Sequence, residues 1–212
     1  MLRFLHGREL SAHDQLARQM FRHRADQFGR RLGWDVSINP AGEEHDNYDA
    51  LDPLYVIWQR PDGSHGGSMR FLPTLGRTMV NEVFGHLTGG RPIIGAQIWE
   101  CSRFCLAPDA DQRTSAALML GGGTLMEGFG LRHFVGVFDQ RMERIYRCIG
   151  ATPQLLGSHG GGRDRIGVGL WSFSRQDCTR VAGRAGVPES QARAWFREAF
   201  GDVPIPRFAP SM

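Results

Sequence analysis

The stretch Ile98–Leu106, IWECSRFCL, constrains this chain more than any other. It is dense in aromatic and apolar residues, the composition of a buried strand. Yet Glu100, Ser102 and Arg103 stand in its middle. Strict alternation puts Ile98, Glu100, Ser102, Phe104 and Leu106 on one face and Trp99, Cys101, Arg103 and Cys105 on the other. A carboxylate inside a sheet must be paired, protonated or functional, because an isolated buried charge is too costly to keep. A further charge, Arg70, occupies the middle of another apolar run, SMRFLPT (68–74). With the two runs as neighbouring strands, two guanidiniums and a carboxylate project from one sheet, and this cluster is the candidate site.

Around that strand the periodicities predict a mixed order of elements. Ser11-x-x-Asp14 reads as a helix start, with Leu16, Ala17, Met20 and Phe21 at helical spacing. A polar loop over 35–50 contains the acidic run EEHDNYDALD. Strands at 53–59 and 68–74 flank the turn PDGSHGG and read as a hairpin. A short helix at 79–87 precedes the opening strand, and a long helix at 113–132 follows it. Then come a buried strand at 133–138, an amphipathic helix at 140–150 stopped by Gly150, a flexible loop SHGGGRD and a strand at 165–174. Helices at 175–186 and 188–200 close the chain; Ser174-x-x-Asp177 opens the first, and Pro188 and Gly201 bracket the second. The expectation is one domain over 1–212, without repeats or a linker, of α+β or mixed α/β class around one central sheet.

Composition excludes several chemistries. All 25 basic residues are Arg, so no Schiff-base lysine and no P-loop lysine exists. A net charge of +3 suits a patch for an acidic partner rather than nucleic acid. No run approaches the roughly 18 apolar residues of a membrane span, and MLRFLHGREL is too short an apolar start for a signal peptide. A cytoplasmic protein without membrane partners is expected. Cys101, Cys105, Cys148 and Cys178 form no C-x-x-C pair and no histidines cluster, so reduced cysteines and no metal are expected. The glycines of LGGGTLMEGFG lie in a helical pattern, not in the strand–turn–helix order of a dinucleotide site. The last two helices look like a helix-turn-helix, but Val181, Ala185, Trp195, Phe196 and Phe200 suit packing on the sheet, and no basic arm accompanies them. Asp46 and Asp49 fit a solvated turn or a clamp for a cationic ligand; Phe28 and Trp34 fit core aromatics or a stacking platform.

Taken in order, these pieces resemble the acyl-homoserine lactone synthases, the autoinducer synthases of bacterial quorum sensing. The resemblance rests on Arg24, Phe28 and Trp34 in RHRADQFGRRLGW, Asp46 and Asp49 in EHDNYD, Arg70 in SMRFLPT, Phe84 in MVNEVFGHL, and Glu100, Ser102 and Arg103 in WECSRF. MERIYRCIGATPQLLG looks like the family's following helix and strand, and coverage runs from about residue 3 to 175. The resemblance implies an N-acetyltransferase-like fold: a mixed α/β/α sandwich whose central sheet is split into a V, with the acyl arm in the cleft. It implies S-adenosylmethionine as a substrate rather than a cofactor, and an acylated acyl-carrier protein or acyl-CoA as acyl donor. The products are the acyl-homoserine lactone and methylthioadenosine. An ordinary N-acyltransferase acting on another amine is the alternative. The glycine-rich phosphate turn of such enzymes is absent from APDADQRTSA, which weighs against it.

On this reading Glu100, Ser102 and Arg103 are the catalytic residues, with Glu100 taking the amine proton. Arg24, Phe28, Trp34, Asp46, Asp49, Arg70, Phe84 and Arg103 hold S-adenosylmethionine. Met79, Phe104, Leu118, Leu125, Met126 and Ile149 line the acyl pocket, and Arg141, Arg144 and Arg147 offer a dock for an acidic carrier. Gly136 stands about where some relatives that prefer 3-oxo chains have Thr. Alternation separates Glu100 from Arg103, so both reach one ligand only if a β-bulge falls within 100–105.

Overall fold

The structure is a computed structural model and describes residues 1–202. Its centre is a seven-stranded sheet: β1 (Leu2–His6), β2 (Leu54–Gln59), β3 (His65–Pro73), β4 (Ile98–Leu106), β5 (His133–Asp139), β6 (Gln154–His159) and β7 (Ile166–Trp171). The order across the sheet is β1-β2-β3-β4-β5-β7-β6. Every neighbouring pair is antiparallel except β4 and β5. These two run parallel and pair only through Ile98–Glu100 and His133–Val135. Beyond that point β4 stays with β3 and β5 stays with β7, so the sheet opens as a V. At the vertex the strands approach closely: a Cβ on Gly136 would lie 2.6 Å from the Cys101 carbonyl oxygen.

Helices cover both faces. On one lies α1 (Asp14–Arg24), continuing into a π-helical turn at Ala25–Arg31. Its Leu16, Ala17, Met20 and Phe21 pack with Leu5, Leu10, Tyr55 and Ile57 as a core of their own. The short α2 (Met79–Glu82) and a 3-10 turn at Gly85–Thr88 take the place of the single helix expected at 79–87. On the other face α3 (Gln112–Gly128) lies over the sheet, with α5 (Arg175–Ala185) and α6 (Glu189–Phe200) behind it and α4 (Gln140–Ile149) beside β5. Residues Thr114 to Met126 of α3 are all buried. A helix apolar all round belongs inside, and glycine lets it sit close: a Cβ on Gly121 would lie 2.6 Å from a Val56 methyl. The larger core gathers Phe4, Val56, Phe71, Phe134 and Trp171 with Leu118, Leu125 and Phe196.

The end helices are not a projecting helix-turn-helix. Val181, Ala182, Ala185, Ala192 and Phe196 are buried in the larger core, and the capping box at Ser174 and Asp177 forms as expected. β6 extends through His159, into the stretch expected to be a flexible loop. No helix among the described residues is long and apolar enough to cross a membrane. All four cysteines are free.

Candidate active site

The expected bulge is present. Ser68 pairs with Cys105 and Arg70 with Ser102, so one residue of β3 faces two of β4, Arg103 and Phe104. Arg103 has φ 53°, left-handed backbone that a non-glycine residue rarely adopts and that is held at a cost of about 1–3 kcal/mol. The bulge overturns strict alternation. Arg103 joins Glu100 and Ser102 on the α1 face, and Phe104 moves to the α3 face with Cys101.

On the α1 face three arginines, Arg24 and Arg70 buried and Arg103 partly so, meet three acids. Arg24 donates to Glu44 at 2.6 Å and, with both terminal nitrogens, to Asp49 at 2.9 and 2.8 Å. Arg70 donates to both oxygens of Asp46, to Asp49 at 2.8 Å and, through Nε, to Ser102 Oγ at 3.1 Å. Arg103 donates to Glu44 at 2.9 Å, lies 2.8 Å from Asp46 and stacks its guanidinium 5.2 Å from the Phe28 ring centroid. Such bidentate pairs fix geometry as well as charge. The loop carrying the acids is self-bonded: Asp46 Oδ1 accepts from the N–H groups of Tyr48 and Asp49, and Asp49 Oδ2 accepts from that of Asp46. Burial acts to raise the Asp49 carboxyl, but Arg24 and Arg70 outweigh it and hold it well below the usual range. Asp46 is likewise raised by burial and pulled lower overall by Arg70 and Arg103. All three guanidiniums are thus already paired, and the clamp is built before any ligand arrives.

Glu100 stands apart from that pairing. It is 1% exposed. Its Oε2 accepts from the Val80 N–H at 2.5 Å at the start of α2, while Oε1 has no hydrogen-bond partner among the described residues. Burial raises its carboxyl, against the smaller lowering by the Val80 N–H and the Arg70 charge. Glu100 is thus a buried carboxyl raised from its ordinary value, with one oxygen uncommitted among the described residues.

Two cavities flank β4. One of about 330 Å³ lies in the V, with Arg103 on one arm and Val137, Phe138 and Asp139 on the other; Trp34, Met79 and Phe84 also line it. The second, on the α3 face, is small at about 30 Å³ and almost wholly apolar, walled by Phe104, Met69, Phe71, Phe134, Tyr146 and Trp171, among others.

The autoinducer synthase family model matches residues 8–166. The chain belongs to the autoinducer synthase family. It is 39% identical over 186 residues to an acyl-homoserine-lactone synthase of Rhizobium etli, covering 84% of this chain and 87% of that one. It is 37% identical over 149 residues to another from Agrobacterium fabrum, covering 66% and 70%. Among solved structures it resembles the CoA-dependent acyl-homoserine lactone synthase MesI (TM-score 0.77, 23% identity, 89% of this chain and 96% of that one). It also resembles the synthase BjaI solved with S-adenosylmethionine and isopentyl-CoA (TM-score 0.77, 23% identity, 89% and 90%). An N-acetyltransferase fold from Lactobacillus plantarum aligns more loosely, at TM-score 0.54. This autoinducer synthase is therefore a transferase that makes an acyl-homoserine lactone, a quorum-sensing signal, on an acetyltransferase-like scaffold.

Within the synthase, Arg24, Asp46, Asp49, Arg70, Ser102 and Arg103 form one bonded network with Phe28 against it. Trp34 stacks on Phe28 at 5.2 Å and, with Phe84, faces the V. The residues named for the acyl pocket do not converge. Phe104 walls the apolar cavity and Met79 the V, where its sulfur lies 3.6 Å from an Arg103 nitrogen. Leu118 and Leu125 have no exposure, sit in the larger core and line neither cavity. Met126 faces a third cleft beside Arg132 and Arg175, and Ile149 a fourth of about 690 Å³ between α3, α4 and α5. Two participants were not anticipated. Glu44 is fully buried between Arg24 and Arg103, and the Tyr55 hydroxyl donates to Asp49 at 2.6 Å.

Proposed function

We propose that the ionic network holds S-adenosylmethionine in the V with its methionyl amine toward β4, and that the acyl thioester lies along the β4 edge that β5 leaves open. The cationic end of the donor suits the acid-rich loop, and its carboxylate suits Arg103. Phe28, Trp34 and Phe84 offer faces for the sulfonium. An α-amino group titrates near 7.7–8.0 and is partly neutral at physiological pH. It attacks the thioester carbonyl and Glu100 takes its proton; the carbon–sulfur bond breaks, and the leaving thiolate takes that same proton back from Glu100. Backbone N–H groups of β4 and the Ser102 hydroxyl, whose oxygen already accepts from Arg70, are the donors for the oxyanion. A carboxylate oxygen then attacks the carbon next to the sulfonium. The ring closes and neutral methylthioadenosine departs, a step that needs little beyond a folded chain held in place. The two substrates supply every atom that moves, so no cofactor enters the balance.

Acyl-CoA or an acylated carrier protein serves as donor. Exposed Arg141, Arg144 and Arg147 on α4, with Arg144 opening onto the cleft of about 690 Å³ that also carries Arg113 and Arg184, offer the anionic partner its dock. The enzyme is read as cytoplasmic. One observation carries this reading: a single bulge sends Arg103 into the ionic network and Phe104 into the apolar cavity, so one strand serves both substrates. The test is incubation with S-adenosylmethionine and a panel of acyl-CoA and acyl-carrier donors, with mass spectrometry of products. The expected result is equimolar lactone and methylthioadenosine with at least one donor. Thiol release with other amines and no methylthioadenosine would return the chain to the N-acyltransferase alternative.

A further inference from the structure

The far half of β4 has an edge without a strand beside it. Planar trans peptides fix which groups face it. The Cys105 carbonyl points at β3, where a Cβ on Gly67 would lie 3.0 Å from it, and the Ala107 N–H donates to the Gly66 carbonyl at 2.9 Å. The Phe104 carbonyl and the Leu106 N–H therefore face the opposite edge, which β5 abandons after Glu100. One side chain takes both. Gln27 Nε2 donates to the Phe104 carbonyl at 2.7 Å, and the Leu106 N–H donates to Gln27 Oε1 at 3.0 Å. A carboxamide carries the same donor and acceptor as a peptide unit, so Gln27 reproduces the two bonds of a missing strand.

Gln27 belongs to a polar stripe at four-residue spacing. Gln19 Oε1 accepts from the His65 N–H at 2.8 Å, and the ring nitrogens Nδ1 of His23 and His65 lie 2.8 Å apart. The stripe fastens α1 and its π-turn to the ends of β3 and β4. Its last member grips β4 immediately after the bulge, where Arg103 is held in left-handed backbone. A one-residue slip there would carry Phe104 to the ionic face.

We propose that Gln27 is a positioning residue for acyl transfer: by standing in for a strand on the open edge of β4, it holds the Arg103–Phe104 bulge, and with it the acyl-chain wall, in register. The inference rests on the reading that the V receives the acyl donor.

Two variants test it. Gln27→Met keeps the length and loses both bonds; Gln27→Glu keeps the acceptor for Leu106 and sets a carboxylate oxygen against the Phe104 carbonyl. Amide hydrogen exchange of the substrate-free protein reads the clamp directly. Gln27→Met should raise Leu106 exchange at least tenfold while the β3 and Glu100 amides stay protected, and Gln27→Glu should keep most of the Leu106 protection. In kinetics with the best donor of the panel, Gln27→Met should lower kcat about tenfold and broaden chain-length selectivity. S-adenosylmethionine binding measured by calorimetry should stay within twofold. Unchanged Leu106 exchange, or wild-type kcat and selectivity in Gln27→Met, overturns the proposal. So does a lower KM for the donor, which would mean that the carboxamide competes with it for the β4 edge. A wild-type enzyme that makes no lactone with any donor defeats the acyl-donor reading and the positioning role with it, while Leu106 exchange still shows whether the clamp exists.

Discussion

The two faces of β4 are built on opposite principles. The α1 face is a saturated ionic lattice in which Arg24, Arg70 and Arg103 each bond at least two carboxylates. The α3 face is an aromatic and aliphatic wall around a cavity of about 30 Å³. The first is fixed before substrate binds, because unpairing any member leaves a charge uncompensated in the interior. The second carries no charge and includes Met69 and Met119, side chains of the kind that repack most readily. On the proposed reading the two faces divide the labour, the ionic one for the charged substrate and the apolar one for the acyl chain.

The sharpest way to break this contrast is at Glu100, the member of the α1 face outside the lattice. Glu100→Gln keeps an acceptor for Val80 and so keeps the fold, but loses the base. We expect kcat to fall by about 10²–10⁴ in a lactone assay while thermal unfolding stays near wild type. Activity within threefold of wild type removes Glu100 from proton transfer. Next is the lattice itself. Arg70→Ala takes from Asp46 its bidentate partner and from Asp49 one of its two arginines, and urea unfolding should show a loss of about 3 kcal/mol. A loss below about 1 kcal/mol would make the lattice decorative. On the apolar face, Phe104→Ala enlarges the cavity; competition between acyl donors should then favour longer chains, with S-adenosylmethionine affinity unchanged.

Acid sharpens the same comparison, because His65, Asp46 and Asp49, all with depressed values, lie on the α1 side. Burial, then the neighbouring His23, push the His65 ring down to about 3. As pH falls below about 6.5 the unfolded chain gains a proton that the folded ring refuses. Stability should then drop with a slope approaching 1.4 kcal/mol per pH unit, about the value of one proton. The support from Asp46 and Asp49, whose folded values are depressed, is full above about 4 and is lost only below it. Glu100 works in the other direction: its raised folded value adds stability as pH falls through it. Urea titrations between pH 7.5 and 4.5 should show the slope, and His65→Gln should flatten it. A wild-type curve already flat there contradicts the assignment. The smallest effect belongs to the exposed arginines. Arg144→Glu with Arg147→Glu should raise KM for the anionic donor severalfold at low salt and hardly at all at high salt.

Much of the α1 face was legible in the sequence. Charges inside an apolar run demand partners, and the mismatch between strand alternation and a shared ligand called for a bulge. Glu44 was not legible: it stands in an acidic run whose composition is that of a solvated loop, and only the fold shows that the loop turns inward beneath Arg24. Tyr55 was hidden for the opposite reason, as one apolar-looking residue in a strand. The edge strand β1 escaped because it is short, and β6, largely exposed, carries so little pattern that only the family resemblance marked a strand there. The acyl pocket is least legible on α3. A helix buried all round offers no stripe to say which side faces a ligand, so the pattern does not set Leu118 and Leu125 apart from the rest of the core.

On the proposed function one bulged strand delivers the two substrates from its two faces. A crystal structure with S-adenosylmethionine and a non-transferable acyl-CoA thioether tests it most directly. The methionyl group should lie within hydrogen-bond distance of Arg103, and the acyl chain against Phe104, Tyr146 and Trp171 on the other side of β4. An acyl chain lying on the α1 face, or in the cleft between α3, α4 and α5, would contradict it.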